Sequence, residues 1–88
     1  MREHALKTWP SYFTDILEGR KTFELRSNDR DFAVGDILVL EEWNPAPLLY
    51  NAKGYTGRKV RVEVTSLLQG GRFGLPPGLC VMSIRKVE

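Results

Sequence analysis

Only one stretch of this 88-residue chain repeats its apolar residues at helical spacing, so most of the fold must be built from strands. That stretch runs from Pro10 to Glu18 and places Tyr12, Phe13, Ile16 and Leu17 on one face. Pro10 suits a first helical position, where its missing N–H would be unpaired anyway, and Gly19 suits a left-handed cap. The remaining apolar residues fall in short runs separated by glycine, proline, asparagine and aspartate. His4 to Thr8 reads as a first strand and Thr22 to Arg26 as a second, with Phe23 and Leu25 facing the core. Ile37 to Leu40 is a continuous apolar run of the kind found in fully buried strands. Val60, Val62 and Val64 alternate along a further strand, and Leu79 to Val87 supplies the last.

Between them, Ser27 to Asp31 and Gly35-Asp36 read as turns, as does Gly54 to Gly57. Asn44 to Gly54 and Gln69 to Gly78 read as loops. One helix and about five strands in a chain this short predict a single α+β domain over residues 1–88. The expected form is a small mixed β-barrel.

Composition narrows the function. Cys80 is the only cysteine, so no internal disulfide is possible, and the residue reads as a small buried hydrophobe in a reducing compartment. His4 is the only histidine, and no Cys or His pair has ligand spacing; no metal and no cofactor are expected. The formal charge of +2 is too low for a nucleic-acid coat protein or a polybasic membrane anchor. Met1 to His4 leads into polar residues rather than an apolar signal core, and no apolar run could span a bilayer. A soluble, cytoplasmic protein is the expectation.

The chemistry concentrates in Lys21, Glu24 and Arg26. Glu24 and Arg26 share a strand face by period two. Lys21 joins them only if it lies in the turn before the strand, an unusual path that Gly19 permits. On a solvated face these would be ordinary surface charges worth little to stability. Lining a cleft, Lys21 donates to a base carbonyl or phosphate, Glu24 accepts from an exocyclic amine, and Arg26 holds a phosphate or the carboxylate. Glu42, just beyond the apolar strand, is either a strand-end carboxylate or a second acid entering the cleft. Lys7 is a second cation near the site. Trp9 and Trp43 read as core or rim packing, with base stacking as the alternative. Arg58, Lys59 and Arg61 form a basic run that is either a solvated face or a phosphate track.

Gly19 to Arg26 has the pattern GxKxxExR, and its position between a helix and a strand resembles the ASCH domain family of the PUA-like superfamily. The turn at Asp36 is similar to that family's turn before its next strand. The words His4-x-Leu6-Lys7, Asn28-Asp29-Arg30, Glu42-Trp43, Tyr55-Thr56-Gly57 and Val81-Met82-Ser83-Ile84 resemble an ASCH-related bacterial and phage subfamily. The resemblance covers essentially the whole chain. It implies a compact PUA-type β-barrel with one main helix beside a cleft, in a family associated with RNA binding and nucleoside chemistry. Some relatives hydrolyse N(4)-acetylcytidine with a lysine at the position of Lys21, but with a threonine where this chain has Glu24. The further acid of that branch has no counterpart between Thr65 and Gly78.

Two functions follow as expectations. One is a metal-free amidohydrolase acting on N(4)-acylated cytosine or cytidine, with Lys21, Glu24 and Glu42 catalytic and Arg26, Lys7, Trp43 and Tyr55 binding substrate. The other is a non-catalytic reader of RNA or a modified nucleobase. The expected partner is a nucleoside or nucleobase, with RNA as a further one and no membrane.

Overall fold

The computed structural model describes residues 1–45 and 54–87. Five strands and one helix follow in the order β1 (Glu3–Thr8), α1 (Pro10–Leu17), β2 (Phe23–Ser27), β3 (Ile37–Trp43), β4 (Tyr55–Gln69) and β5 (Leu79–Lys86). The strands form one sheet in the order β1-β3-β4-β5-β2, in which β1 runs parallel to β3 and the other pairs are antiparallel. The expected α+β composition is present, as a five-stranded sheet curled into a half-barrel with one short helix. The predicted loop from Asn44 to Gly54 falls largely on residues 46–53, outside the described residues.

Alternation builds the core. β1 buries His4, Leu6 and Thr8, β4 buries Val62 and Val64, and β5 buries Cys80, Met82 and Ile84. Leu38 and Leu40 of β3 meet these residues inside the curl, and Ile16 of α1 joins them. Burial pushes the Cys80 thiol above its ordinary pKa, which leaves it a packed hydrophobe rather than a nucleophile.

The turn predicted at Gly54 to Gly57 is instead the start of β4. Trp43 pairs with Tyr55, and two residues earlier Glu41 pairs with Lys59, so β4 carries two extra residues between those pairs. Gly57, at φ +90°, sits in this bulge. The sequence signature of a turn and that of a bulged strand are alike here, because both need a glycine at positive φ.

The curl brings the two edge strands together without pairing them. Arg26 Nη2 of β2 donates to the Lys7 carbonyl of β1 at 2.9 Å, and Arg30 Nη1 donates to the Ala5 carbonyl at 2.9 Å. Side chains therefore close a seam that backbone leaves open. Covering an edge in this way also removes it as a template for a foreign strand.

At the start of β3, Asp36 is buried and accepts from His4 Nε2 at 2.9 Å, from the Arg2 N–H at 3.2 Å and from the Ala33 N–H at 3.1 Å. Burial works against the carboxylate, but the hydrogen bonds from His4, Arg2 and Ala33 outweigh it and hold Asp36 below its ordinary pKa of 3.8. A carboxyl depressed by folding adds stability that is present above its unfolded pKa and is lost as pH falls through the folded one. Urea midpoints should therefore decline below about pH 4. Asp36→Asn should lose roughly 1–3 kcal/mol at neutral pH and flatten that acid limb. An unchanged acid limb in the variant would assign it to another group.

In two further places chain patterning and structure part. The Gln69–Gly78 loop contains a turn whose Leu75 N–H donates to the Arg72 carbonyl at 3.0 Å. Its central residues, Phe73 (φ +55°) and Gly74 (φ +78°), are both left-handed. Glycine accepts that conformation freely, whereas an L-residue with a bulky side chain pays on the order of 1–2 kcal/mol. In β2 the expected faces are reversed: Phe23 and Leu25 are 47% and 51% exposed, while Glu24 is 3% exposed.

Candidate functional site: a charged triad under an aromatic rim

The reversal of β2 originates in the turn after α1. Gly19, at φ +80°, ends the helix as expected of a left-handed cap, and its N–H donates to the Ile16 carbonyl at 3.1 Å. The N–H groups of Arg20 and Lys21 both donate to the Asp15 carbonyl, at 2.9 and 3.1 Å. The chain thus folds back over the helix end and delivers Lys21 to the strand face that carries Glu24.

Lys21 Nζ donates to Glu24 Oε1 at 2.6 Å and to the Phe23 carbonyl at 2.6 Å. Arg26 Nε donates to Glu24 Oε2 at 2.8 Å. Each carboxylate oxygen has its own cation, so the charge can be buried where a lone one could not. Period-two reasoning sends the apolar residues inward, but three mutually satisfied charges win the inner face. Phe23 and Leu25 turn out as a result. Arg26 Nη2 also reaches Thr8 Oγ1 at 3.3 Å, which ties the triad to the end of β1.

Above the triad lies an open cavity of about 420 Å³, bounded by the end of β1, by β2 and by α1. Its apolar wall consists of Trp9, Tyr12, Phe23 and Leu25, each about half exposed. The Trp9 and Tyr12 rings lie within 10° of parallel with centroids 6.0 Å apart. Its polar floor consists of Lys21, Glu24, Arg26, Thr8 and Lys7. Bare hydrogen-bond counting leaves this floor unsaturated. An ammonium has three donors and Lys21 uses two; a carboxylate accepts at about four sites and Glu24 uses two.

A model of the family described as "Domain of unknown function (DUF3850)" matches residues 3–84. This chain belongs to that family. It is also similar to a protein of Escherichia phage P2 described as "Uncharacterized 12.9 kDa protein in GpA 3'region", with 38% identity over 64 residues. Those residues are 73% of this chain and 52% of the phage protein, so the chain spans about half the length of that relative.

Not every expected residue of the DUF3850 chain reaches the cavity. Lys21, Glu24, Arg26 and Lys7 line it. Glu42 does not: it is buried beside Thr8 in the sheet register, where Thr56 Oγ1 donates to it at 2.7 Å and Arg58 Nε lies at 3.2 Å. The β4 bulge supplies both partners from its two sides. Trp43 and Tyr55 pair across β3 and β4 and do not themselves line the cavity, although Lys7 Nζ lies 4.7 Å from the Trp43 ring and 5.8 Å from that of Tyr55. Trp43 packs so closely on Gly54 that a Cβ there would lie 2.2 Å from the indole nitrogen.

The basic run lies along β4, with Arg58, Lys59 and Arg61 all exposed. Arg58 faces Glu42, Arg61 Nη2 contacts Glu3 at 2.7 Å, and Lys59 sits opposite Glu41 in register. Among the described residues, no group of three or more His, Cys, Asp or Glu side chains could hold a metal ion, and no helix is long and apolar enough to cross a membrane. Sequence reasoning missed Thr8, Tyr12, Phe23 and Leu25 as cavity residues. The signal for the last two was the charged motif itself, since burying Glu24 must expose its strand neighbours.

Proposed function

We propose that the cavity is a recognition site for a nucleobase or nucleoside. The carrying observation is the buried Glu24, held by Lys21 and Arg26 at the foot of an aromatic wall. A planar, heteroatom-rich ring needs both parts. Tyr12, Trp9 and Phe23 offer faces for stacking, worth about 1–3 kcal/mol per base. The spare acceptor sites of Glu24 suit an exocyclic amine, and the third Lys21 proton suits a ring carbonyl. The volume is that of a small-ligand site rather than of an extended interface. The GxKxxExR resemblance to ASCH domains supports the same reading.

The Lys21–Glu24 contact of 2.6 Å favours a second reading, hydrolysis of an N(4)-acylated cytosine. Lys21 would stabilise the developing oxyanion, and Glu24 would accept the proton of the attacking water and return it to the ring amine as the C–N bond breaks. Glu42 lies outside the cavity and cannot replace it. An acylated cytosine is the apt amide, because its leaving amine is delocalised into the ring.

Titration of the protein with cytidine and with N(4)-acetylcytidine tests both readings. Saturable binding of a nucleoside is expected, weakened about tenfold or more by Lys21→Ala and by Glu24→Gln. Release of cytidine from the acetylated compound, lost in both variants, would establish hydrolysis. A cavity that binds neither these compounds nor any other nucleoside would end the nucleobase reading.

A further inference from the structure

The tip of the β4–β5 loop contradicts the usual logic of a soluble fold. Phe73 is 87% exposed, the most exposed aromatic residue described. It occupies the first central position of a turn whose two central residues have positive φ, a position suited to glycine, asparagine or aspartate. The residue therefore costs conformational energy and leaves most of a large apolar ring exposed.

The loop below it is tightly fixed. Gly71 N–H donates to the Leu75 carbonyl at 2.7 Å, and Gly70 N–H to the Leu79 carbonyl at 2.8 Å. A Cβ on Gly70 would lie 1.9 Å from the Pro76 carbonyl oxygen, so the chain crosses itself closely there. The loop base is also joined to the cavity strand. Asn28 Nδ2 donates to Gln69 Oε1 at 2.7 Å, and the Asn28 N–H donates to the Gly78 carbonyl at 2.9 Å. Arg26, on the cavity floor, is two residues from Asn28. The guanidinium of Arg72, beside Phe73, has no hydrogen bond or ion pair among the described residues.

We propose that Phe73 is a second stacking platform, and that the molecule takes a base within a single-stranded nucleic acid rather than a free nucleoside. This rests on the nucleobase reading of the cavity. A strained residue that persists on a rigid support is best explained by what it contacts when bound. An exposed ring stacks on any base, and the free guanidinium of Arg72 beside it matches a phosphate. Charge agrees, because the cavity floor carries Lys21 and Arg26 against the single carboxylate of Glu24.

The experiment compares the parent with Phe73→Asn, Phe73→Trp and Glu24→Gln. Each is titrated with a short single-stranded RNA containing all four bases, with the four free nucleosides and with anionic vesicles, and each is unfolded in urea. The parent should bind RNA more tightly than any nucleoside. Phe73→Asn should unfold at a higher urea concentration and bind nucleosides like the parent, yet lose about tenfold or more in RNA affinity. Phe73→Trp should keep that affinity. Unchanged RNA affinity in Phe73→Asn, or a parent that binds RNA no better than nucleosides, would overturn the inference while leaving the cavity reading intact. RNA binding that depends on Phe73 but is unchanged by Glu24→Gln, without any nucleoside binding, would end the cavity reading and, with it, the inference that the cavity takes a base of the strand. Vesicle binding lost in Phe73→Asn, with no RNA binding, would assign the tip to a membrane and overturn the inference.

Discussion

Glu24→Ala is expected to lower the unfolding free energy by roughly 2–4 kcal/mol and to abolish nucleoside binding. Removing one member of a buried ion cluster costs far more than removing a surface charge, because the members left behind stay desolvated and unpaired. Lys21 and Arg26 keep some contact with water, which places the figure toward the lower part of the usual range. For a domain of this size such a loss corresponds to a fall in Tm of about 10 °C or more. The triad predicts a further asymmetry. Lys21→Ala leaves Glu24 with Arg26, so it should cost less stability than Glu24→Ala while reducing ligand affinity comparably. Differential scanning calorimetry and nucleoside titration on both variants measure the two effects separately. If Glu24→Ala melts with the parent, the triad is a surface feature and Glu24 has no structural role.

Phe13→Ala should be at least as damaging, at about 3–5 kcal/mol. Phe13 is 1% exposed and, with Ile16, is one of only two buried residues on α1. An eight-residue helix has no stability of its own in water and persists here only through that packing. The same ring lies 5.0 Å from the Arg58 guanidinium, which faces Glu42, so its loss also loosens the carboxylate beneath. Trp9 and Tyr12 ride on this helix and its entry, which makes the aromatic wall dependent on Phe13. Tyr12→Ala provides the contrast: half exposed, it should leave the urea midpoint nearly unchanged and weaken only the ligand. Equal effects of the two substitutions on stability would show that α1 is not anchored through Phe13.

Much of this arrangement was legible in the residues themselves. The helix from Pro10, the left-handed Gly19 and the strand runs needed only local pattern, because each is decided by neighbours a few residues apart. The meeting of Lys21 with Glu24 was legible as a condition, namely that Lys21 lie before the strand, and the turn onto Asp15 fulfils it. The facing of β2 was not legible. Phe23 and Leu25 alternate as core residues do, and only the simultaneous pairing of three charges makes the opposite face the inner one. Gly57 misled for a related reason, since positive φ serves a bulge as well as a turn. The separation of Glu42, Trp43 and Tyr55 from the cavity depends on sheet register, which links residues far apart in the chain.

The strand order also governs when the cavity can come into being. All of its walls come from the first part of the chain, β1, α1 and β2, yet β1 is held by β3, and β2 is held by β5 at the far end. The long β4 stands between those two supports and pairs with both. During synthesis the residues that form the cavity therefore emerge early and wait. Until Leu79–Lys86 has been made, β2 has no neighbour, and Lys21, Glu24 and Arg26 belong to a segment without a sheet. Assembly ends at the cavity, beside the seam between the two outermost strands.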